Sequence, residues 1–305
     1  MTPDVQFPGS GPSAPLSLDL TEDQIRTTAG ALQKTRPAYG PMIEFYSRIF
    51  SAQAATLAKI NPDPIIIEDE LLSLKKKNEM PLITPIQFRI DLKASKQLMK
   101  QICNLAVDHA PKLAKAGESL GQCLDTDTID LDQLFNALLD GMNIDDIAKK
   151  GKINAEGLGF FGFSAIAPSI QTGAAQLSTY LKDTPTTNKA YCPICGSSPD
   201  LAFFDESGKK HVTCSLCSHA WQVQRMGCLF CDSMDKEAQH YFFTGEEKEY
   251  RVYCCDHCRR YIKTVDIRQL GRRFFPKLEK IATLHLDMKA KEQGYRNLDQ
   301  DTNMS

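Results

Sequence analysis

Eight cysteines stand in four pairs, each with two residues between the sulfurs: Cys192/Cys195, Cys214/Cys217, Cys228/Cys231 and Cys255/Cys258. That spacing lets a tight turn aim two thiolates at one ion, and two such turns complete a tetrahedral site. The pairs are separated by 18, 10 and 23 residues. The first interval matches the spacing of a four-cysteine metal ribbon, and pairs three and four repeat it with a slightly longer loop. Each long interval also contains one hairpin pattern, which favours sequential pairing, one with two and three with four. A crossed pairing, one with three and two with four, stays open at this level. Four sulfurs per ion suit zinc or a single iron, and ligand softness alone does not choose between them. No ligand position is left for water, so the expected role of the metal is folding rather than Lewis-acid hydrolysis. A domain this small gains much of its folding free energy from such sites, on the order of 10–16 kcal/mol each in isolated peptides. Cys254 adjoins Cys255 and is read as a spare thiol or a small buried residue, with ligand exchange as its alternative.

Two other uses of paired cysteines fit less well. A disulfide scaffold requires an oxidising compartment, and the opening residues MTPDVQFPGSGPSAPLSLDL lack the basic and apolar regions of a secretory signal. A thioredoxin-like dithiol uses one pair on a βαβ frame, not four pairs in a small β region. Gly157-Leu-Gly-Phe-Phe-Gly162 matches G-x-G-x-x-G by letter. A polar stretch precedes it where the dinucleotide fingerprint needs a strand, so it is read as a loop joining helices. The six histidines show no metalloprotease spacing; His257, inside the last pair, is expected to face solvent, and His219 to lie beside a metal site or be exposed. Cys103 and Cys123 fall at helical positions and read as core residues.

The elements that must position the sulfurs follow from pattern. The chain has 305 residues, 42% of them hydrophobic, and a net charge of -2. It contains no run of the roughly 20 apolar residues that a membrane span needs. Of its 11 cysteines, nine lie between positions 192 and 258. The expected fold class is α+β and multidomain. A disordered N-terminus covers 1–16, an all-α region 17–185, tandem four-cysteine ribbons 186–266, and a C-terminal helix with a polar tail 267–305. The boundary sits in the polar, proline-containing stretch Asp183–Lys189. Thr21-Glu-Asp-Gln24 is a capping-box pattern that starts a helix of about 15 residues ending near Pro37. Apolar stripes at Met42, Phe45, Ile49, Phe50 and Leu57, at Leu98, Ile102, Leu105 and Ala106, and at Leu131, Leu134, Phe135 and Leu138 mark further helices. Ile170–Leu181 reads as the last of six or seven. Beyond Lys189 the period changes to strands: Leu201–Phe204 with Lys210–Thr213 around a turn, Trp221–Arg225, His240–Phe243 with Tyr250–Tyr253 around a second turn, and Tyr261–Val265. After about position 274, Leu278, Ile281, Leu284 and Met288 return to helical spacing.

A basic run, Arg259, Arg260, Lys263, Arg268, Arg272 and Arg273, raises the question of a nucleic-acid-binding ribbon. From Lys189 onward 18 basic residues meet 16 acidic ones, and eight thiolates on two divalent ions would add about four negative charges. Phosphate neutralisation needs a net positive surface, so a nucleic-acid partner is not expected. A small electron carrier is the other alternative, because a four-sulfur iron can pass one electron.

The stretches Tyr191-Cys-Pro-Ile-Cys-Gly-Ser-Ser-Pro199, Cys214-Ser-Leu-Cys217, Trp221-Gln-Val-Gln-Arg225, Cys228-Leu-Phe-Cys231, Cys255-Asp-His-Cys258 and Tyr261-Ile-Lys263 resemble the formate dehydrogenase accessory protein (FdhE) family. Leu286–Arg296 is similar to that family's end, and Pro81-Leu-Ile83 is a local echo in the helical part. The resemblance implies a cytoplasmic accessory protein, not an enzyme. It would bind the catalytic subunit of formate dehydrogenase, which carries molybdenum or tungsten and an Fe–S cluster, before or during export by the twin-arginine route. It also implies rubredoxin-type iron on two sites, or zinc, held by Cys192, Cys195, Cys214, Cys217, Cys228, Cys231, Cys255 and Cys258, with the metal affecting partner binding. Where the family has a small or acidic lead into the last pair, this chain has Tyr253-Cys254.

Overall fold

A computed structural model describes residues 20–60, 62–181, 189–245 and 247–297. The expected disordered stretch 1–16, the linker 183–188 and the polar tail beyond Asn297 lie outside the described residues. Helix α1 (Glu22–Thr35) opens with the anticipated capping box: Gln24 N–H donates to Thr21 Oγ1 at 3.4 Å and Thr21 N–H to Gln24 Oε1 at 3.0 Å. Helices α2 (Gly40–Leu57), α3 (Asp69–Lys77), α4 (Leu92–His109), α5 (Pro111–Asp125), α6 (Leu131–Leu139), α7 (Asp145–Lys150) and α8 (Ala155–Ser178) follow. The described residues before Lys189 therefore hold eight α-helices rather than six or seven; α3 buries none of its residues and so shows no apolar stripe, and α7 is only six residues long.

The Gly157–Gly162 segment corrects the expectation of a loop. Asn154 caps α8 by accepting from Gly157 N–H at 2.8 Å, and all three glycines lie inside the helix. A Cβ at Gly162 would collide with the Leu138 side chain of α6. The glycines thus serve close helix packing, not a phosphate loop. Of the helix expected over Ile170–Leu181, residues 170–178 are the end of this same 24-residue helix, which carries Pro168 internally, and Thr179–Leu181 is a 3-10 turn.

Beyond Lys189 the chain forms β1 (Pro199–Phe204), β2 (Lys210–Cys214), β3 (Ala220–Gln222), β4 (Gln239–Phe242), β5 (Tyr250–Cys255) and β6 (Arg260–Asp266). They make a single sheet in the order β3-β2-β1-β6-β5-β4. Two antiparallel ribbons, β1–β2–β3 and β4–β5–β6, meet at a parallel seam where Ala202, Phe203 and Phe204 pair with Thr264, Val265 and Asp266. Helices α9 (Pro276–Ala282) and α10 (Leu284–Glu292) close the fold. The single C-terminal helix expected from the pattern is broken at Thr283, whose hydroxyl donates to the Glu279 carbonyl at 2.7 Å. The break turns the buried face to Leu286 and Ala290 and leaves Met288 62% exposed.

One face of the sheet packs Leu201, Phe203, Val252, Tyr261 and Val265 against Phe274, Leu286 and Ala290. Two apolar clusters join the helical region to the rest of the chain, one through the sheet and one through α9. The main core runs from Ile49, Ile102 and Phe161 into Ile194, Trp221 and Ile262. A second cluster packs Ile25, Leu32 and Ile43 on Phe275, Leu278 and Ile281. No helix among the described residues is long and apolar enough to cross a membrane.

Candidate metal centre

All four cysteine pairs are built the same way. In each, the residue just after the second cysteine has positive φ: Gly196 (79°), Ser218 (61°), Asp232 (56°) and Arg259 (56°). Its N–H donates back to the carbonyl of the first cysteine, Cys192, Cys214, Cys228 or Cys255, at 2.9–3.2 Å. The left-handed residue reverses the chain tightly enough to bring both sulfurs to one side. Only one of the four is glycine, so the other three positions hold a conformation that costs L residues on the order of 1 kcal/mol each. Something must hold them there.

The strands then set the pairs against one another. Cys192 and Cys195 precede β1 and Cys214 ends β2, so the β1–β2 hairpin brings the first two knuckles together. Cys255 ends β5 and Cys228/Cys231 precede β4, which does the same for the other two. The sulfurs of Cys192, Cys195, Cys214 and Cys217 lie within 4.8 Å of one another, as do those of Cys228, Cys231, Cys255 and Cys258. The grouping is sequential, not crossed. Opposed sulfurs stand 3.6 Å (Cys192–Cys217), 3.5 Å (Cys195–Cys214), 3.7 Å (Cys228–Cys258) and 3.8 Å (Cys231–Cys255) apart. Four sulfurs about 2.3 Å from a central ion would be about 3.8 Å apart at the corners of a tetrahedron. The separations are far too long for S–S bonds of about 2.05 Å. Two four-sulfur groups that could hold metal ions are therefore in place, and the donor set fits zinc or iron equally.

Burial pushes the Cys192 thiol far up, while hydrogen bonds from Cys192, Cys214 and Cys217 hold Cys195 far down. Backbone amides help carry the negative charge: Cys217 N–H donates to Cys214 Sγ and Phe230 N–H to Cys228 Sγ, each at 3.4 Å. The groups differ in access. All four cysteines of the first are buried; in the second, Cys258 is half-buried and Cys231 exposed.

The surrounding residues sort cleanly. Cys254 faces the opposite side of β5, in the core with Phe203 and Tyr261, where burial pushes its thiol up to about 12. It belongs to neither group. Cys103 is buried on α4 and Cys123 half-buried on α5, both against the main core. His219 stacks on Trp221 beside the first group, and burial pushes its imidazole down to about 4. His257 is exposed, with Nε2 3.0 Å from Asp235. The basic run is dispersed rather than a patch. Lys263 is buried on Asp287, Arg272 pairs with Glu279 and the Tyr250 hydroxyl, Arg268 with Asp266, and Arg259 with Asp256.

One positioning segment carried only a faint signal in the sequence. Leu82 N–H donates to the Pro193 carbonyl at 2.9 Å and Ile83 N–H to that of Ile194 at 2.8 Å. Pro81 sits under Gly196, 3.2 Å from where a Cβ would stand. A loop of the helical region is thus hydrogen-bonded along the first knuckle, between its two cysteines.

No family model matches the chain. It is 25% identical over 269 residues to the FdhE homolog of Aquifex aeolicus, covering 87% of this chain and 88% of that protein. Shorter matches reach the FdhE homolog of Pectobacterium atrosepticum, 27% over 114 residues, and the FdhE protein of Escherichia coli, 30% over 115 residues. These span 36% and 35% of their respective relatives. The fold is similar to the crystal structure of the FdhE protein from Pseudomonas aeruginosa, with a TM-score of 0.65 over 92% of this chain and 95% of that one at 20% identity.

Proposed function

Because the chain belongs to the FdhE family, we propose that it is an accessory protein for formate dehydrogenase. It would hold the immature catalytic subunit during assembly in the cytoplasm, with no turnover of its own. In this reading Cys192, Cys195, Cys214 and Cys217 hold one metal ion and Cys228, Cys231, Cys255 and Cys258 another. The ions, iron or zinc, supply rigidity. The helical region and the tandem ribbons act as two parts of one clamp, divided near residue 185.

The observation that carries the reading is the union of the two four-sulfur groups in one six-stranded sheet that shares its core with the helices. Metal at each end of such a sheet stiffens a broad surface, which lowers the ordering cost of binding a large partner. The test is co-purification with the catalytic subunit, using the intact chain and variants with Cys→Ser changes in either group. Loss of capture in the variants supports the reading. Equal capture by a metal-free chain contradicts it.

The exposure of Cys231 favours a second reading, a rubredoxin-like electron carrier whose second centre lies near the surface. A reversible one-electron couple with a thiolate-to-iron absorption band would support it; a colourless, zinc-loaded protein would exclude it.

A further inference from the structure

On the face of the sheet away from α9 and α10, Ala202, Val212, Trp221 and Ile262 belong to the main core shared with the helices, and a groove opens beside them toward β4 and β5. Phe204 and Lys210 pair across β1 and β2, and Tyr241, Tyr253 and Ile262 stand in register across β4, β5 and β6. The loop carrying Met226, Phe230 and Met234 arches over them, enclosing a groove of about 590 Å³. Its lining includes the cations Lys210, Arg225, Lys236, Arg251 and Arg260; it holds no Asp or Glu among the described residues, but does include Cys228 and Cys255 of the second four-sulfur group, whose negative charge the five cations outnumber. Lys210 is only 5% exposed. A buried ammonium without a carboxylate is costly; here its Nζ lies 5.0 Å from the centre of the Tyr253 ring, and Cys228 of the second four-sulfur group is its anionic neighbour. Arg225 lies over Phe204 at 5.4 Å and Arg251 over Tyr241 at 5.2 Å. At the rim, Met226 is 57%, Met234 62% and Tyr241 48% exposed.

We propose that this groove binds an acidic stretch of polypeptide from a protein partner, with Arg225, Arg251 and Lys210 receiving its carboxylates and the Met226–Met234 rim its apolar side chains. The proposal rests on the reading of the chain as a partner-binding accessory protein and names the chemistry of that partner's contact. Charge complementarity argues for an anionic occupant, and forked guanidiniums suit carboxylates. The methionines argue for apolar neighbours of varied shape, since a flexible thioether adapts to many contours. Nucleobases fit less well. Single-strand binders offer bare aromatic faces for stacking, whereas here Phe204, Tyr241 and Tyr253 each carry a cation over the ring.

The test measures fluorescence anisotropy of a short labelled peptide alternating Glu and Leu, with its Lys–Leu counterpart as control, on the full metal-loaded chain. Binding of the acidic peptide alone, weakened about tenfold or more in R225Q/R251Q as expected for losing charge-assisted hydrogen bonds, supports the proposal. Metal content and melting temperature of that variant should match the parent. K210M provides a second variant that keeps the buried stem, and it too should weaken binding. Equal binding of both peptides, no binding, or parental affinity in the variants overturns the proposal. So does displacement of the peptide by a single-stranded oligonucleotide or by inorganic phosphate at a lower concentration than by unlabelled peptide. The two readings fail separately. Capture of the formate dehydrogenase subunit unchanged by R225Q/R251Q would remove the groove proposal and leave the accessory role; peptide binding without subunit capture would do the reverse.

Discussion

Ile83 N–H donates to the Ile194 carbonyl at 2.8 Å, tying a loop between α3 and α4 to the turn that presents Cys192 and Cys195. The bond makes the position of a helical-region loop depend on the geometry of a knuckle more than a hundred residues away. A thiol-lined turn without its ion has nothing to balance the strain at its left-handed residue. The carbonyls of Pro193 and Ile194 should then lose their fixed direction. Hydrogen exchange should show Leu82 and Ile83 amides losing protection in C195S/C217S but keeping it in C231S, which touches only the second group. Unchanged protection at these amides in the first variant would contradict the coupling.

Two glycines of α5 should respond with opposite signs. A Cβ at Gly117 would stand 2.7 Å from the Cys103 carbonyl oxygen of α4, and backbone cannot yield as a side chain can. G117A should destabilise by about 1–3 kcal/mol as an overpacking change. Gly121, in the same helix, has nothing within 4 Å of its Cβ position. G121A should stabilise by up to about 1 kcal/mol, the helix propensity gained. Denaturant melts of the two variants check this; equal shifts would mean that α4 and α5 do not approach as closely as described.

Asp266, 2% exposed, closes the parallel seam between the ribbons. Its carboxylate accepts from Arg268 Nε and Nη2, each at 2.7 Å, and from Gln269. The Arg268 hydrogen bonds hold it below the usual value of 3.8, against the effect of burial. A depressed folded pKa contributes stability above the unfolded value, lost as pH falls through the folded one. D266N should therefore cost about 2 kcal/mol at neutral pH, the scale of hydrogen bonds to a charged group. The gap between variant and parent should close as pH drops below 3.8. Melts of both proteins across acidic pH check it, and a gap that persists or widens there would contradict the assignment.

How far the sequence foretold the molecule depends on the range of the forces involved. The eight cysteines announce their grouping because a knuckle is local and each long interval holds its own hairpin. The capping box of α1 was equally legible, being four residues of side-chain geometry. The seam of Phe203 with Val265 was not: parallel pairing between residues sixty positions apart leaves no periodic trace, and both strands read simply as apolar. Gly157–Gly162 misled because glycine marks loops and close-packed helices alike. Its partner, Leu138, lies on another helix. Thr283 broke a helix that the spacing of Leu278, Ile281, Leu284 and Met288 had joined.

Native mass spectrometry with elemental analysis of anaerobically purified protein tests most directly whether the eight sulfurs hold two ions. Two zinc or iron ions per chain are expected in the parent, two in C254S, whose thiol lies in the core, and one in C255S. A parent chain carrying no metal, with its paired cysteines joined as disulfides, would contradict the account.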